Sequence, residues 1–355
     1  LAWLWTTDIT RQKNARTFAT QLRNLERYDD WVFNQSSPQA YAWLEQDSPE
    51  IFEAVRKQID AGRWEAEGAT WVEMDTNVPS GESLVRQLLH GKRYFQQKFD
   101  IDSKMLWLPD VFGYTASLPQ LLKLAGVETF VTSKLSWSQY NRFPHDTFCW
   151  RGIDGSDVAT TFISTPQSNV SSSDTGWGAT YNGSITVNQI VNTWREYRQK
   201  NHLIQPLHTY GDGDGGGGPT EQMHETAERL ATWPLPAGMP RPNRRAAGKL
   251  AAEVADRIDE LPVWDGELYL EYHRGTLTSQ AWLKRANRKL EVALHNLEWL
   301  GVMAAEVGHK LDRERIEAVW KDLMLIQFHD ILPGSSVHDV YVDARPMMAE
   351  AQAVV

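Results

Sequence analysis

The sequence is nearly free of cysteine: Cys149 is the single one in 355 residues. One cysteine excludes an intrachain disulfide and any metal cluster built on thiolates. Set between Phe148 and Trp150, it reads as a buried apolar residue. Its scarcity fits a reducing compartment. Long apolar runs are missing too, so no stretch reads as a membrane span or a signal peptide. Positive charge is thin, with 36 Lys and Arg against 46 Asp and Glu, and the net charge is −10. The densest basic run is Arg241-Pro242-Asn243-Arg244-Arg245. This balance argues against nucleic acid and against a membrane surface as partners.

What is present is ordinary for a soluble globular protein, with 41% apolar and 23% charged residues. The length suggests two units rather than one. Sixteen tryptophans is a high count. Most read as large core residues, although an indole face also stacks well on the C–H face of a sugar. The chain opens inside an apolar run, Leu1-Ala2-Trp3-Leu4-Trp5. This reads as the tail of a strand, and the chain therefore as a fragment.

Helix signals alternate with short apolar runs. Ser48-Pro49-Glu50 opens a helix with Ile51, Val55 and Ile59 on one face and Gly62 as its stop. Leu84, Leu88, Phe95 and Phe99 form a second stripe, and Leu118, Leu121, Leu122 and Ala125 a third, ended by Gly126. Thr220-Glu221 opens a fourth, with Met223, Ala227 and Leu230 turned inward. The intervening runs read as buried strands at 31–33, 64–67, 105–108, 129–132, 158–163 and 203–210. With the opening run the count reaches about seven. This alternation predicts an α/β fold, a parallel sheet or β/α barrel. The Ser171-Ser172-Ser173-Asp174 stretch reads as a loop of that barrel.

Near residue 265 the pattern changes. Leu283, Ala286, Leu290, Leu294, Leu297 and Met303 keep helical spacing, as do Ile316, Val319, Leu323 and Ile326. Two long helices with a short join predict a helical bundle. We divide the chain into residues 1–265, a barrel unit, and 266–355, a helical unit.

Three stretches carry chemistry. Leu106-Trp107-Leu108-Pro109-Asp110 ends an apolar run in one acid, followed by Val111-Phe112-Gly113. The acid reads either as a helix N-cap or as a catalytic carboxylate at a strand's C-terminal end. Lys134 follows another run and reads either as a solvated surface lysine or as a cation offsetting negative charge beside that acid. Tyr210-Gly211-Asp212-Gly213-Asp214-Gly215-Gly216-Gly217-Gly218-Pro219-Thr220 is the second stretch. It lacks the Gly-Lys-Ser/Thr ending of a phosphate loop and the closing acid of a calcium loop. Bare glycines around an acid suit close approach to a ligand better than idle flexibility. The third is Phe328-His329-Asp330-Ile331-Leu332-Pro333-Gly334-Ser335-Ser336, at a helix end. It is either a surface turn or a means of delivering a His to another unit, where carboxylates could complete a metal site.

Together these runs resemble the glycoside hydrolase family 38 α-mannosidases, chiefly their bacterial and cytosolic branch. The resemblance also covers Gly62-Arg63-Trp64-Glu65, Trp71-Val72-Glu73, Pro79-Ser80-Gly81-Glu82-Ser83-Leu84, Lys134-Leu135-Ser136-Trp137, Gly266-Glu267-Leu268-Tyr269-Leu270-Glu271 and His273-Arg274-Gly275-Thr276. It implies a seven-stranded β/α barrel, distorted and with its first strand truncated, followed by a helical middle domain. It implies one Zn²⁺, release of terminal α-linked mannose from glycans with retention, and a cytoplasmic setting. A homo-oligomer is compatible with it.

The resemblance makes Asp110 both nucleophile and zinc ligand, with His329 a second ligand. The acid/base falls on Asp214, with Asp212 as second choice. Trp3 would stack under mannose, and Phe112, Lys134, Asp212 and Asp330 complete the substrate-contacting set. Two further zinc ligands are expected from a His-x-Asp motif just before Leu1, outside this sequence. The rival readings are a metal-dependent carbohydrate deacetylase and an inactive sugar-binding fragment.

Overall fold

The strands are short, three to six residues each, and several carry polar residues, as in Phe33-Asn34-Gln35 and Trp64-Glu65-Ala66. In the computed structural model, which describes residues 1–138, 140–167, 178–202 and 204–355, seven strands and eleven α-helices form. The first unit runs α1 (Thr7–Arg27), β1 (Phe33–Gln35), α2 (Pro38–Asp47), α3 (Pro49–Asp60), β2 (Trp64–Ala66), α4 (Gly81–Phe99), β3 (Met105–Trp107), α5 (Leu118–Leu124) and β4 (Thr129–Thr132). There follow β5 (Thr147–Arg151), β6 (Asp157–Phe162), α6 (Val187–Glu196), α7 (Glu221–Thr232), α8 (Ala247–Ala255) and β7 (Val263–Asp265). Three helices close the chain: α9 (Ala281–Ala305), α10 (Arg313–Ile326) and α11 (His338–Val354).

β1 and β2 pair in parallel, and a second sheet has the order β3-β4-β6-β5-β7. A parallel bridge between Gly68 and Leu106 joins the two sheets, and another between Ile163 and Leu207 extends the series beyond β6. β3, β4 and β6 are parallel to one another, so their C-terminal ends share one edge. Asp110 after β3 and Lys134 after β4 meet there, the side on which barrels and open α/β sheets bind ligands.

α4 follows the expected stripe. Leu84, Leu88, Phe95 and Phe99 are buried, and the Ser80 hydroxyl accepts from the Ser83 amide as its N-cap. Each such side chain contributes roughly 1.5–3 kcal/mol on burial. Thr220 caps α7 in the same way, through the Met223 amide. Leu118 and Leu122 of α5 and Leu283, Leu290 and Leu294 of α9 also face the core.

Several expectations change. Leu1–Trp5 forms a turn, because the Trp3 amide donates to Trp5 O and the Trp3 carbonyl accepts from the Val337 amide, leaving no strand ladder. The first strand starts at Phe33, not Trp31, whose indole turns inward against His224. β5 and β7 were not foreseen. β5 pairs antiparallel with β6 across the Asp154-Gly155-Ser156 turn, and it carries the buried Cys149. On α3 the buried side chains are Phe52 and Val55, while Ile51 and Ile59 are half-buried. Met303 is exposed at the far end of α9. The expected 203–210 strand is represented only by the bridge at Leu207, and its Leu203 lies outside the described residues, as does Ser171-Ser172-Ser173-Asp174. α11 was not foreseen either. Among the described residues no helix is long and apolar enough to cross a membrane.

Candidate active site

β3 delivers Asp110, and the loops on either side hold it. The Leu108 amide donates to Val131 O, and the Ser133 amide donates to Pro109 O at 3.1 Å, tying this turn to the one after β4. Gly113 sits at φ +103°, where a Cβ would press on the Leu270 amide at 3.2 Å. Only glycine takes that conformation without strain. Buried Thr76 donates its hydroxyl to Gly113 O at 2.8 Å, and Asp75 accepts the Asn77 and Val78 amides at 2.7 Å each. Burial raises the Asp75 carboxyl above its ordinary range, against the pull of those two amides.

The segment around Asp75 also locates the helical unit. The Asp75 amide donates to Gln327 O, the His329 amide donates to Glu73 O, and Met74 and Phe328 form an antiparallel bridge. Behind it, fully buried Gln327 donates through Nε2 to Ser83 Oγ and Asn287 Oδ1, both at 2.9 Å. Glu291 of α9 accepts the Ser83 hydroxyl at 2.8 Å. This polar core joins α4, α9 and α10 and fixes the end of α10, from which His329 projects.

His329 Nδ1 lies 2.7 Å from Glu73 O. A carbonyl only accepts, so Nδ1 carries a proton, and in the neutral imidazole that leaves the lone pair on Nε2. Nε2 lies 3.8 Å from Asp110 Oδ2 and 3.6 Å from Asp330 Oδ2. One ligand atom from each of Asp110, His329 and Asp330 falls within 4.8 Å of the others. A backbone acceptor fixing the imidazole tautomer is what metal-ligating histidines require. Asp330, foreseen as a sugar contact, thus stands in the same cluster. Ser335 Oγ donates to its Oδ1 at 2.6 Å, and burial raises its carboxyl above the ordinary range.

Lys134 is buried, not a solvated surface residue, and its Nζ donates to Asp110 Oδ1 at 2.6 Å. Its cation also lies 5.3 Å from the Phe112 ring centre and 4.9 Å from that of Trp137. Phe112 stacks on His273 with ring centres 4.6 Å apart. Burial, and then the Lys134 charge, push His273 down to about 4, so it is neutral near pH 7.

The glycine-rich loop is held from below by α1. Gln21 Nε2 donates to Gly217 O at 2.6 Å, Asn24 Nδ2 to Pro219 O at 3.2 Å, and the Gly217 amide donates to Thr17 Oγ1 at 3.0 Å. Gly218 takes φ +70°, and a Cβ there would lie 2.7 Å from Gln21 Nε2. The loop is therefore clamped rather than free. Asn182 Oδ1 accepts the Gly213 and Asp214 amides at 2.6 and 3.0 Å. Asp212 closes the loop through backbone bonds to Gly218, with its side chain exposed at the cavity.

Tyr181 joins the two halves of the site. Its hydroxyl lies 3.2 Å from Asp110 Oδ2 and 2.5 Å from Asp214 Oδ1. Burial, then the two carboxylates, raise its phenol well above 10, so it stays protonated. Asp110, Asp214, His329, Asp330, Lys134, Phe112, Asp212 and half-buried Trp3 all border one cavity of about 680 Å³, room enough for a saccharide. Trp5, Trp137, Tyr181, His273 and Tyr272 border it as well. Sequence reasoning missed Tyr181 and Asn182, which lie in no motif. His273 stood in a recognised motif but was given no role.

Residues 1–267 match the model of the glycosyl hydrolases family 38 N-terminal domain, and residues 271–354 match that of the alpha mannosidase middle domain. Alpha-mannosidase G of Dictyostelium discoideum is 40% identical over 97% of this chain and 30% of its own length. Alpha-mannosidase 2C1 of Homo sapiens is 36% identical over 97% of this chain and 32% of its own. The chain thus spans about a third of the length of the curated relatives it matches. An alpha-mannosidase from Enterococcus faecalis V583 has a crystal structure similar in fold, with TM-score 0.76 at 20% identity, covering 99% of this chain and 40% of that one.

Proposed function

Since this chain belongs to glycosyl hydrolase family 38, we propose that it carries the catalytic centre of a retaining α-mannosidase that releases terminal α-linked mannose from glycans. The observation that carries this reading is the single Tyr181 hydroxyl touching both Asp110 and Asp214. Their nearest oxygens can be no further apart than those two contacts together. That bound lies below the roughly 6.5–9.5 Å of inverting enzymes and is compatible with the roughly 5–5.5 Å of retaining ones.

Asp110 acts as nucleophile. The buried Lys134 ammonium and the Tyr181 hydroxyl hold its two oxygens and aim it into the cavity. Asp214, exposed at the cavity mouth, begins protonated. It gives that proton to the glycosidic oxygen as the bond from that oxygen to the anomeric carbon breaks and the bond to Asp110 forms. Water then attacks the same carbon, its proton passes to Asp214, and Asp110 is freed. Trp3 and Phe112 offer aromatic faces to the sugar, and Asp330 and Asp212 accept from its hydroxyls.

Asp110, His329 and Asp330 suit a divalent cation: two carboxylates and an imidazole whose free nitrogen is set by the Glu73 carbonyl. Zinc held there would polarise and orient the mannose hydroxyls as a Lewis acid. The family resemblance adds a His-x-Asp pair outside this sequence to the ligand set, so its tests belong to the protein at full natural length. We also read residues 1–265 and 266–355 as two domains, and the parallel series from β1 to Leu207 as the arc of a β/α barrel. The single buried cysteine agrees with a cytoplasmic setting.

A deacetylase acting through a metal-bound water would form no covalent sugar intermediate, so a mannosyl adduct trapped on Asp110 separates the two readings. Replacing Asp110 by Asn in the full-length protein is expected to lower kcat on an aryl α-mannoside by at least about 10³-fold while circular dichroism shows the fold retained. Near-normal turnover by that variant would defeat the assignment.

A further inference from the structure

A phenol has one proton, yet the Tyr181 oxygen contacts two carboxylates. If both acids were ionised, one contact would set a lone pair against a carboxylate oxygen. Three oxygens sharing two protons satisfy both contacts: Asp214 donates to Tyr181, and Tyr181 donates to Asp110. That is the protonation pattern the first chemical step needs. We propose that Tyr181 is a positioning residue that holds Asp214 in its proton-donating geometry and turns its own hydroxyl from Asp110 to Asp214 once that proton has been given. The proposal rests on the reading of Asp110 as nucleophile and Asp214 as acid/base.

The step balances. Asp214 loses its proton to the leaving oxygen, while one carboxylate oxygen of Asp110 becomes an ester oxygen and its charge is lost. Of its two partners only Asp214 is then an anion, so the Tyr181 O–H points to it and holds it as base. When water is split, Asp214 regains a proton from it, Asp110 regains its charge, and the hydroxyl turns back. No proton leaves Tyr181 at any stage.

The surroundings fix the ring for this task. The Tyr181 carbonyl accepts from Thr209 Oγ1 at 3.2 Å. The neighbouring Asn182 amide donates to Thr180 Oγ1 at 3.0 Å. A Cβ on Gly213 would lie 3.0 Å from the Tyr181 ring and 2.9 Å from Asn182 Oδ1, so the loop lies flat on both residues. Asn182 thus holds the loop backbone, and Tyr181 holds the acid itself.

The test measures kcat and KM for the full-length protein, Tyr181→Phe, Asn182→Ala and Asp214→Asn on two α-mannosides. One has a good leaving group, 2,4-dinitrophenol, and the other a poor one, phenol. Departure of the poor leaving group needs a proton; departure of the good one does not. Tyr181→Phe is expected to lose about tenfold or more in kcat/KM, which reports the step that forms the Asp110 ester, on the phenyl substrate relative to the dinitrophenyl one. Asn182→Ala, which loosens the loop backbone carrying Asp214 but keeps the hydroxyl, is expected to show a smaller selectivity than Tyr181→Phe, and a larger one would count against the hydroxyl's role. An equal loss on both substrates for Tyr181→Phe would overturn the inference. Absence of leaving-group selectivity in Asp214→Asn would instead overturn the acid/base assignment beneath it. Tyr181→3-fluorotyrosine keeps ring and hydroxyl while weakening the oxygen as acceptor. It should show the same selectivity in smaller degree, and rates reduced equally on both substrates would count against the proposal.

Discussion

Two glycines with nearly the same backbone conformation allow the clamp on the catalytic loop to be weighed. Gly62, after α3, takes φ +68°, and a Cβ there would meet nothing within 4 Å. Gly218 takes φ +70°, but a Cβ there would lie 2.7 Å from Gln21 Nε2 and 2.9 Å from Gln21 Cδ. Alanine at either site meets the left-handed penalty of about 1–2 kcal/mol. The gain from a stiffer unfolded chain is also common to both. At Gly218, however, the fully buried Gln21 amide must shift, straining its bonds to Gly217 O and Pro219 O. At about 0.5–1.5 kcal/mol for each bond, Gly218→Ala should exceed Gly62→Ala in destabilisation by about 2 kcal/mol. Urea unfolding followed by tryptophan fluorescence measures this as a lower midpoint at equal slope. Only Gly218→Ala should also reduce kcat on an aryl α-mannoside, because the same loop carries Asp214. A difference between the two variants under about 0.5 kcal/mol would refute the clamp.

Glu67 yields a pH-dependent prediction. Burial, opposed by the Met105 amide, pushes its carboxyl up from 4.5 to about 7. The folded protein therefore binds a proton that the unfolded chain has released, so stability falls as pH rises from about 4.5 to about 7. At 1.36 kcal/mol per pH unit the loss is roughly 3 kcal/mol, reduced toward roughly 2 by the residue's partial contact with solvent. Glu67→Gln should remove that slope, so its stability relative to the parent rises between pH 5 and pH 8; a constant difference would exclude the shift. For the metal, the full-length protein should contain stoichiometric zinc by atomic emission. Chelation should abolish turnover and added zinc restore it, and His329→Ala should lower the zinc content. Retained zinc in that variant would remove His329 from the ligand set.

Side chains that face the core announce themselves by period. Leu84, Leu88, Phe95 and Phe99 could be placed on one face of α4 because helix geometry demands that spacing. Asp110, Lys134 and Asp214 were legible because each follows an apolar run or sits among glycines. β5 and β7 were not, since runs as short as Val263–Asp265 carry no periodicity and gain their pairing only from β6 and β5. Tyr181 left no local signal. Its importance comes from contacts with Thr209, Asp214 and Asp110, which lie 28, 33 and 71 positions away. Lys134 could be read as surface or site from sequence alone, and its bond to Asp110 decides the matter.

The central claim is that Asp110 attacks the sugar and is covalently mannosylated during turnover. A slowly turning fluorinated α-mannosyl fluoride, incubated with the full-length protein and followed by peptide mass mapping, tests it most directly. The account predicts one fluoromannosyl adduct, on the peptide containing Asp110 and absent in Asp110→Asn. Steady turnover of that substrate without an adduct, or an adduct carried by another carboxylate, would contradict it.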